Sequence, residues 1–193
     1  RAGVHAAGPQ AMIGVRDISI EPLTALAAAD FGAAVLPDPA RPTSTGPWWA
    51  CCEGCVGLGD GQQWLGFVQA GAAPPEVTEM EREPGTELVI PVAGEIVQIV
   101  AHGLRDAAGV DRPDGRTARA FVLRPGQALM INPGVWHAAA FGLSASAAYF
   151  YIARRRKAED SEGRGGWVAL AEGQVLHPHP GRMAAGHRTG DRE

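Results

Sequence analysis

Seven short runs of apolar or alternating residues dominate the chain from residue 64 to residue 153. They are WLGFV (64–68), EVTEMERE (76–83), LVIPV (88–92), EIVQIVAH (95–102), ARAFVL (118–123), ALMIN (128–132) and AAYFYIA (147–153). Each is bounded by Gly, Pro or charged residues, and several are rich in β-branched or aromatic side chains. Short runs with turn residues between them predict the strands of an all-β sandwich or barrel. Upstream, Ile18 and Ile20 alternate as in a strand. Pro22 or Thr24 then opens an Ala-rich helix of about two turns, which Gly32 ends.

Residues 36–63, with Pro37, Pro39, Pro42 and Pro47 among many glycines, predict irregular loop. GLRDAAGVDRPDGRT (103–117) predicts a long polar hairpin loop. After Ala153 the apolar pattern fades into RRRKAEDSEGRGG (154–166), and the C-terminal residues predict a mobile tail by composition. Three segments follow: a flexible extension over 1–14, with Met12 as a candidate natural start; one domain over 15–158; and a Gly/Pro-rich, largely irregular tail over 159–193.

Composition narrows the classes of function. The 193 residues suit one domain and suffice for a core without disulfides. The 26 Gly and 15 Pro make about a fifth of the chain, against roughly an eighth on average, so turns are dense. A net charge of −4 argues against a general nucleic-acid surface. No run of about 18 apolar residues predicts a membrane-spanning helix, and the N-terminal residues lack a signal-peptide core. Cys51, Cys52 and Cys55 are odd in number and tightly spaced, which does not suit a secreted disulfide framework. The expected setting is a reducing cytoplasm. Three thiols with no His nearby make a zinc site the lesser reading and free loop thiols the plainer one.

The densest local signal is GQALMINPGVWH (126–137). A Gly opens a turn, a strand follows, Pro133-Gly134 turns again, and His137 comes three residues after Gly134. Period-2 alternation sets Val135 and His137 on one face and Trp136 on the other. A second segment, EREPGTELVIPVAG (81–94), sets Glu81 and Glu83 on one strand face and Arg82 on the opposite one, with Pro84-Gly85 bending the chain before Glu87.

These segments resemble the two motifs of the cupin superfamily. Gly126, Gly134 and His137 match the second motif, with Asn132 where the family usually has Pro. Glu81, Glu83, Glu87 and Gly94 fit the spacing of the first, with both of its histidines replaced by glutamates. A narrower resemblance covers residues 18–158. EPLTALAAADFGAAVLP, TEMEREPGTELVIPVAGE and INPGVWHAAAFGL are similar, in that order, to blocks of the ureidoglycolate lyase family. The resemblance implies a cupin-type β-barrel (a double-stranded β-helix) with a short N-terminal helix, usually dimeric. It implies a lyase, of the amidine-lyase type, that cleaves ureidoglycolate to glyoxylate and urea in purine (allantoin) breakdown. It departs from the family at Thr78, Glu83, Glu87 and Ala138, where the family has His, His, Gln and His.

Such chemistry needs a base for the substrate hydroxyl, an acid for the departing urea nitrogen, and donors for the carboxylate. His137, Glu83 and Glu81 are the candidate catalytic residues, with His137 as base or metal ligand and a glutamate as acid if burial raises its pKa. Arg82, Gln98 and Trp136 are the candidate substrate-binding residues, Trp136 having outward packing as its alternative. Three carboxylates beside one imidazole conflict unless one protonates or a cation intervenes. Glu81, Glu83, Glu87 and His137 therefore form a candidate set for Ni²⁺, Mn²⁺, Fe²⁺ or Zn²⁺. The glutamates could equally be a solvated edge, and His137 a buried His satisfied by backbone.

Met80 and Met130 read as core, His102 as a further mouth candidate, HPHP (177–180) as an adventitious metal binder, and RRRK (154–157) as a solvated turn. The expected partners are a small-molecule substrate and a second copy of the chain, with no nucleic acid and no membrane. The same fold with another metal-dependent reaction, or with no catalysis, is the alternative.

Overall fold

The computed structural model describes residues 14–38, 40–45, 50–51, 63–72, 76–105, 109–154 and 166–180. The strands run β1 (Val15–Pro22), β2 (Gly32–Val35), β3 (Ser44–Thr45), β4 (Ala50–Cys51), β5 (Gln63–Ala70), β6 (Glu79–Arg82), β7 (Glu87–Ala93), β8 (Ile96–Ala101) and β9 (Gly103–Arg105). They continue as β10 (Asp111–Pro113), β11 (Arg119–Leu123), β12 (Ala128–Ile131), β13 (Trp136–His137), β14 (Phe141–Gly142), β15 (Ala147–Arg154), β16 (Val168–Ala169) and β17 (Val175–Pro180). All seven runs read from the sequence contain a strand. Two sheets make the body. One has the order β16-β6-β13-β8-β11-β1-β17, with β14 also on β8; the other is β2-β12-β7-β15-β5.

The larger sheet curls until its ends meet. Val77, just before β6, donates its N–H to the Leu176 carbonyl at 2.9 Å, and Leu176 donates back to Val77 at 3.0 Å. The fold is thus the all-β barrel expected. Alternation along β8 and β11 sorts the core onto two faces. Val97, Ile99, Ala120 and Val122 join one cluster; Ile96, Val100, Phe121 and Leu123 join the other, against Val89, Leu129 and Tyr149 of the second sheet. Gln98 shares the second face by parity, which directs it between the sheets. Fully burying a side chain such as Phe121, at 0% exposure, contributes about 2–3 kcal/mol.

The helix is shorter than expected. α1 (Ala25–Ala28) is one turn, opened by Thr24, whose hydroxyl accepts from the Ala27 N–H at 3.1 Å. It stops early because Phe31 is drawn into the core at 2% exposure and Gly32 starts β2. A Cβ on Gly32 would strike the Met130 carbonyl, so the β2–β12 pairing requires glycine there.

The C-terminal tail expected over 159–193 is corrected over 166–180. Leu170, Ala171 and Leu176 are buried, and β17 pairs in parallel with β1. Two prolines in β17 argued against a strand, yet they fit its edge. Leu176 turns its N–H away from β1 toward Val77, so by period 2 the nitrogens of Pro178 and Pro180 also face away from β1. Neither costs a β1 ladder bond. The domain therefore runs through Pro180 instead of ending at 158. The polar 103–117 segment contains the β9–β10 hairpin and a 3₁₀ turn at Gly115–Thr117. Within the 36–63 segment, β3 pairs with β4. The expectations for 1–13, Cys52, Cys55, 155–165 and 181–193 fall outside the described residues. Among the described residues no helix is long and apolar enough to cross a membrane.

Candidate active site

The centre of the site is the short antiparallel ladder of β6 and β13. His137 lies opposite Glu81 and Trp136 opposite Arg82. The turn before β13 locks this register: Gly134, at φ +76, donates its N–H to the Glu83 carbonyl at 3.0 Å, and Asn132 donates to the Phe31 carbonyl at 2.8 Å. Cross-strand neighbours share a face, so Glu81 and His137 project together into the space between the sheets.

There they line a cavity of about 640 Å³, with Glu83, Glu87 and Gln98 also in its wall. Glu87 enters from the start of β7, where it pairs with Ile131 and Ala153. Gln98 is 1% exposed, and its Nε2 donates to the carbonyls of Ala138 (2.6 Å) and Ile99 (3.2 Å). Its Oε1 keeps acceptor capacity for a ligand N–H.

His137 is 3% exposed. Its Nδ1 lies 3.2 Å from the Val135 carbonyl, an acceptor only, so Nδ1 carries a proton. Nε2 lies 3.1 Å from a Glu87 oxygen, and its side chain is 12% exposed. Nε2 has no hydrogen-bond partner in line, so this contact is an ion pair out of hydrogen-bond alignment. A neutral imidazole would turn a lone pair toward that carboxylate; a protonated one resolves the conflict. Burial is the largest single influence and opposes the charge. The Glu87 and Glu81 carboxylates and the Val135 carbonyl outweigh it, and the imidazole pKa stands above its ordinary 6.5. Tyr149, on the cavity wall, is pushed up to about 12, first by burial and then by Glu87 and Glu81, with the Ala140 amide pulling the other way.

The proposed metal set shares this cavity. Among the described residues, however, no three His, Cys, Asp or Glu side chains stand round a common point as an ion would require. The His137–Glu87 pairing offsets one of the three carboxylates, and the four side chains as placed do not converge as a metal's ligands would.

Arg82 and Trp136, expected to bind substrate, are turned away from the cavity. The Arg82 guanidinium lies 4.6 Å over the Trp136 ring and pairs with Asp111 of the β9–β10 hairpin. The reason is the pleat: the face that takes Glu81 and His137 leaves their neighbours on the opposite one. His102 stacks on Phe31 at 4.6 Å and does not line the cavity. His177 lies 3.4 Å from Glu76 and 3.8 Å from Asp17, on the β1–β17 edge.

Sequence reasoning missed Tyr149, Tyr151, Trp64, Trp167 and Arg154, all in the cavity wall. Alternation in AAYFYIA groups Tyr149 with Tyr151, and that signal was available. The order of β15 between β7 and β5, which turns that face inward, was not. Tyr151 lies across Gly66 of β5, where any Cβ would strike its ring.

The sequence profile described as ureidoglycolate lyase matches residues 62–165. Ureidoglycolate lyases of Escherichia coli O1:K1 / APEC and of Shigella boydii serotype 18 are each 37% identical over 71 residues, covering 36% of this chain and 41% of the relative. The match thus spans about two-fifths of the length of these relatives. Among solved structures, RmlC from Streptococcus suis aligns at TM-score 0.36 and 16% identity, over 52% of this chain and 47% of that one. The dTDP-4-dehydrorhamnose 3,5-epimerase of Bacillus anthracis aligns at 0.37 and 14%, over 59% and 61%. Neither structural likeness bears on the chemistry of the cavity.

Proposed function

The chain belongs to the ureidoglycolate lyase family, and from that premise we propose that its cavity cleaves ureidoglycolate into glyoxylate and urea. The observation that carries this reading is the buried His137–Glu87 pair, with Glu81 the cross-strand neighbour of His137. The elimination needs one group to take a proton and one to give it. A carboxylate, Glu81 or Glu83, takes the hydroxyl proton. As the C–O bond becomes a carbonyl, the C–N bond breaks and its electron pair stays on nitrogen. His137 gives its Nε2 proton to that nitrogen, which leaves as urea. The imidazole is then neutral and the carboxylic acid protonated, and transfer of that proton back to His137 restores the starting state.

This assignment reverses the roles expected from residue types alone. His137, held charged by Glu87, is the acid, and a glutamate is the base. Gln98 Oε1 accepts from the ureido N–H groups.

We assign the protein to the cytoplasm on its clustered thiols, and to a homodimer. The dimer is supported by Leu65, Phe67 and Val92, exposed at 65%, 56% and 44% on strands of the second sheet. Sedimentation of the full chain and of Phe67→Lys tests it: a dimer that the lysine dissociates is expected, and a monomeric parent contradicts it.

The activity is tested by incubating the full chain with ureidoglycolate and measuring urea and glyoxylate together. Equimolar products from the parent, and a rate near background from His137→Gln, are expected. No product from a folded parent would overturn the reading.

A further inference from the structure

The acid–base centre leaves the substrate's own negative charge unanswered. The interior of the cavity is rich in acceptors: Glu81, Glu83, Glu87 and the Gln98 carbonyl oxygen. The Nε2 of His137 already faces Glu87 at 3.1 Å. A substrate carboxylate set among these groups would be repelled, whereas a ureido group, with its N–H donors, would be well received.

We propose, resting on the reading above, that Arg154 takes the substrate carboxylate at the rim of the cavity while the ureido end points inward. Arg154 is the last residue of β15 and lies in the cavity wall. Other arginines are committed: Arg82 to Asp111, Arg116 to Asp114, Arg119 to Glu21 and Arg124 to Glu95. The Arg154 side chain has no ion pair or hydrogen bond among the described residues, although three glutamates line the same cavity.

Strand parity alone would group Arg154 with Phe150 and Ile152 on the outer face. It reaches the rim because β15 ends there and its stem runs along Gly85, in the turn that carries the chain from Glu83 to Glu87. A Cβ on Gly85 would lie 3.1 Å from the Arg154 Cβ and 3.5 Å from its Cδ. Glycine at that point leaves room for the stem. A guanidinium offers a carboxylate two parallel N–H donors, which a lysine does not.

The test uses N-carbamoylglycine, which lacks the hydroxyl and is not cleaved, and its uncharged amide. Calorimetry on the full chain should find the acid bound on the order of ten- to a hundredfold more tightly than the amide, the usual range for a charge-assisted pair. Arg154→Gln should bring acid and amide to the same affinity without moving the amide. Arg154→Lys should keep part of the difference. With ureidoglycolate, Arg154→Gln should raise KM by a similar factor and leave kcat near the parent value.

Equal affinity for acid and amide in the parent, no binding of either, or undiminished acid binding by Arg154→Gln, would each overturn the assignment. The two readings fail separately. Arg154-dependent acid binding without turnover retains the carboxylate site and removes the lyase reading. Turnover with KM unmoved in Arg154→Gln does the reverse.

Discussion

The β6–β13 ladder carries two ion-pair arrangements back to back. On the inner face, His137 meets Glu87 at 3.1 Å with both side chains largely shielded from water. On the opposite face, where Trp136 is buried at 2% exposure in the other core cluster, Arg82 lies over its ring and pairs with Asp111, with Arg82 42% and Asp111 31% exposed. The ladder supplies one partner of each, His137 from β13 and Arg82 from β6, while Glu87 comes from β7 and Asp111 from β10. Depth separates them. Between the sheets, low dielectric magnifies each charge and moves the His137 proton equilibrium. At the edge of the other core, water reaches Arg82 and Asp111 and screens the pair, which contributes little beyond packing on Trp136. On the proposed reading, reactivity belongs to the face and not to residue type, since the more strongly basic side chain is on the face turned away from the cavity.

Substitutions on the two faces should break this symmetry in a definite order. The largest effect is expected at His137. His137→Gln should lower kcat/KM for ureidoglycolate by about a thousandfold, within the usual range for a lost general acid, while circular dichroism stays that of the parent.

Glu87→Gln comes next, with about a hundredfold loss by the same reasoning and a pH signature. The His137 pKa is raised above 6.5 on folding. The stability it contributes is thus complete below about pH 6.5 and lost as pH climbs through the raised value. Melting temperatures should show Glu87→Gln costing more at pH 6 than at pH 9. An equal cost at both would deny the pair.

Gly66→Ala should be smaller, about 1–3 kcal/mol in urea unfolding, because the new methyl must displace the Tyr151 ring. Arg82→Met should be smallest: about 1 kcal/mol or less in stability, and kcat unchanged. A large loss of turnover in that variant would place chemistry on the wrong face.

Much of this contrast was legible in the sequence. Parity in EREPGTE and in PGVWH separates Glu81, Glu83 and His137 from Arg82 and Trp136. What parity does not say is which face meets the second sheet. Pairing settles that, and the partners are remote: β17 joins β1 across most of the chain. The same remoteness hid the C-terminal strand, whose prolines read as tail until their edge register was known. The raised pKa of His137 was hidden too. It depends on the approach of Glu87 from a different strand, and spacing alone left His137 as either base or ligand.

The pH dependence of urea release from ureidoglycolate, compared between the parent and Glu87→Gln, is the most direct test of His137 as the acid held charged by Glu87. Activity of the parent should fall as pH rises through a value above 6.5, and that limb should move to lower pH in Glu87→Gln. An alkaline limb at the same pH in both proteins would contradict it.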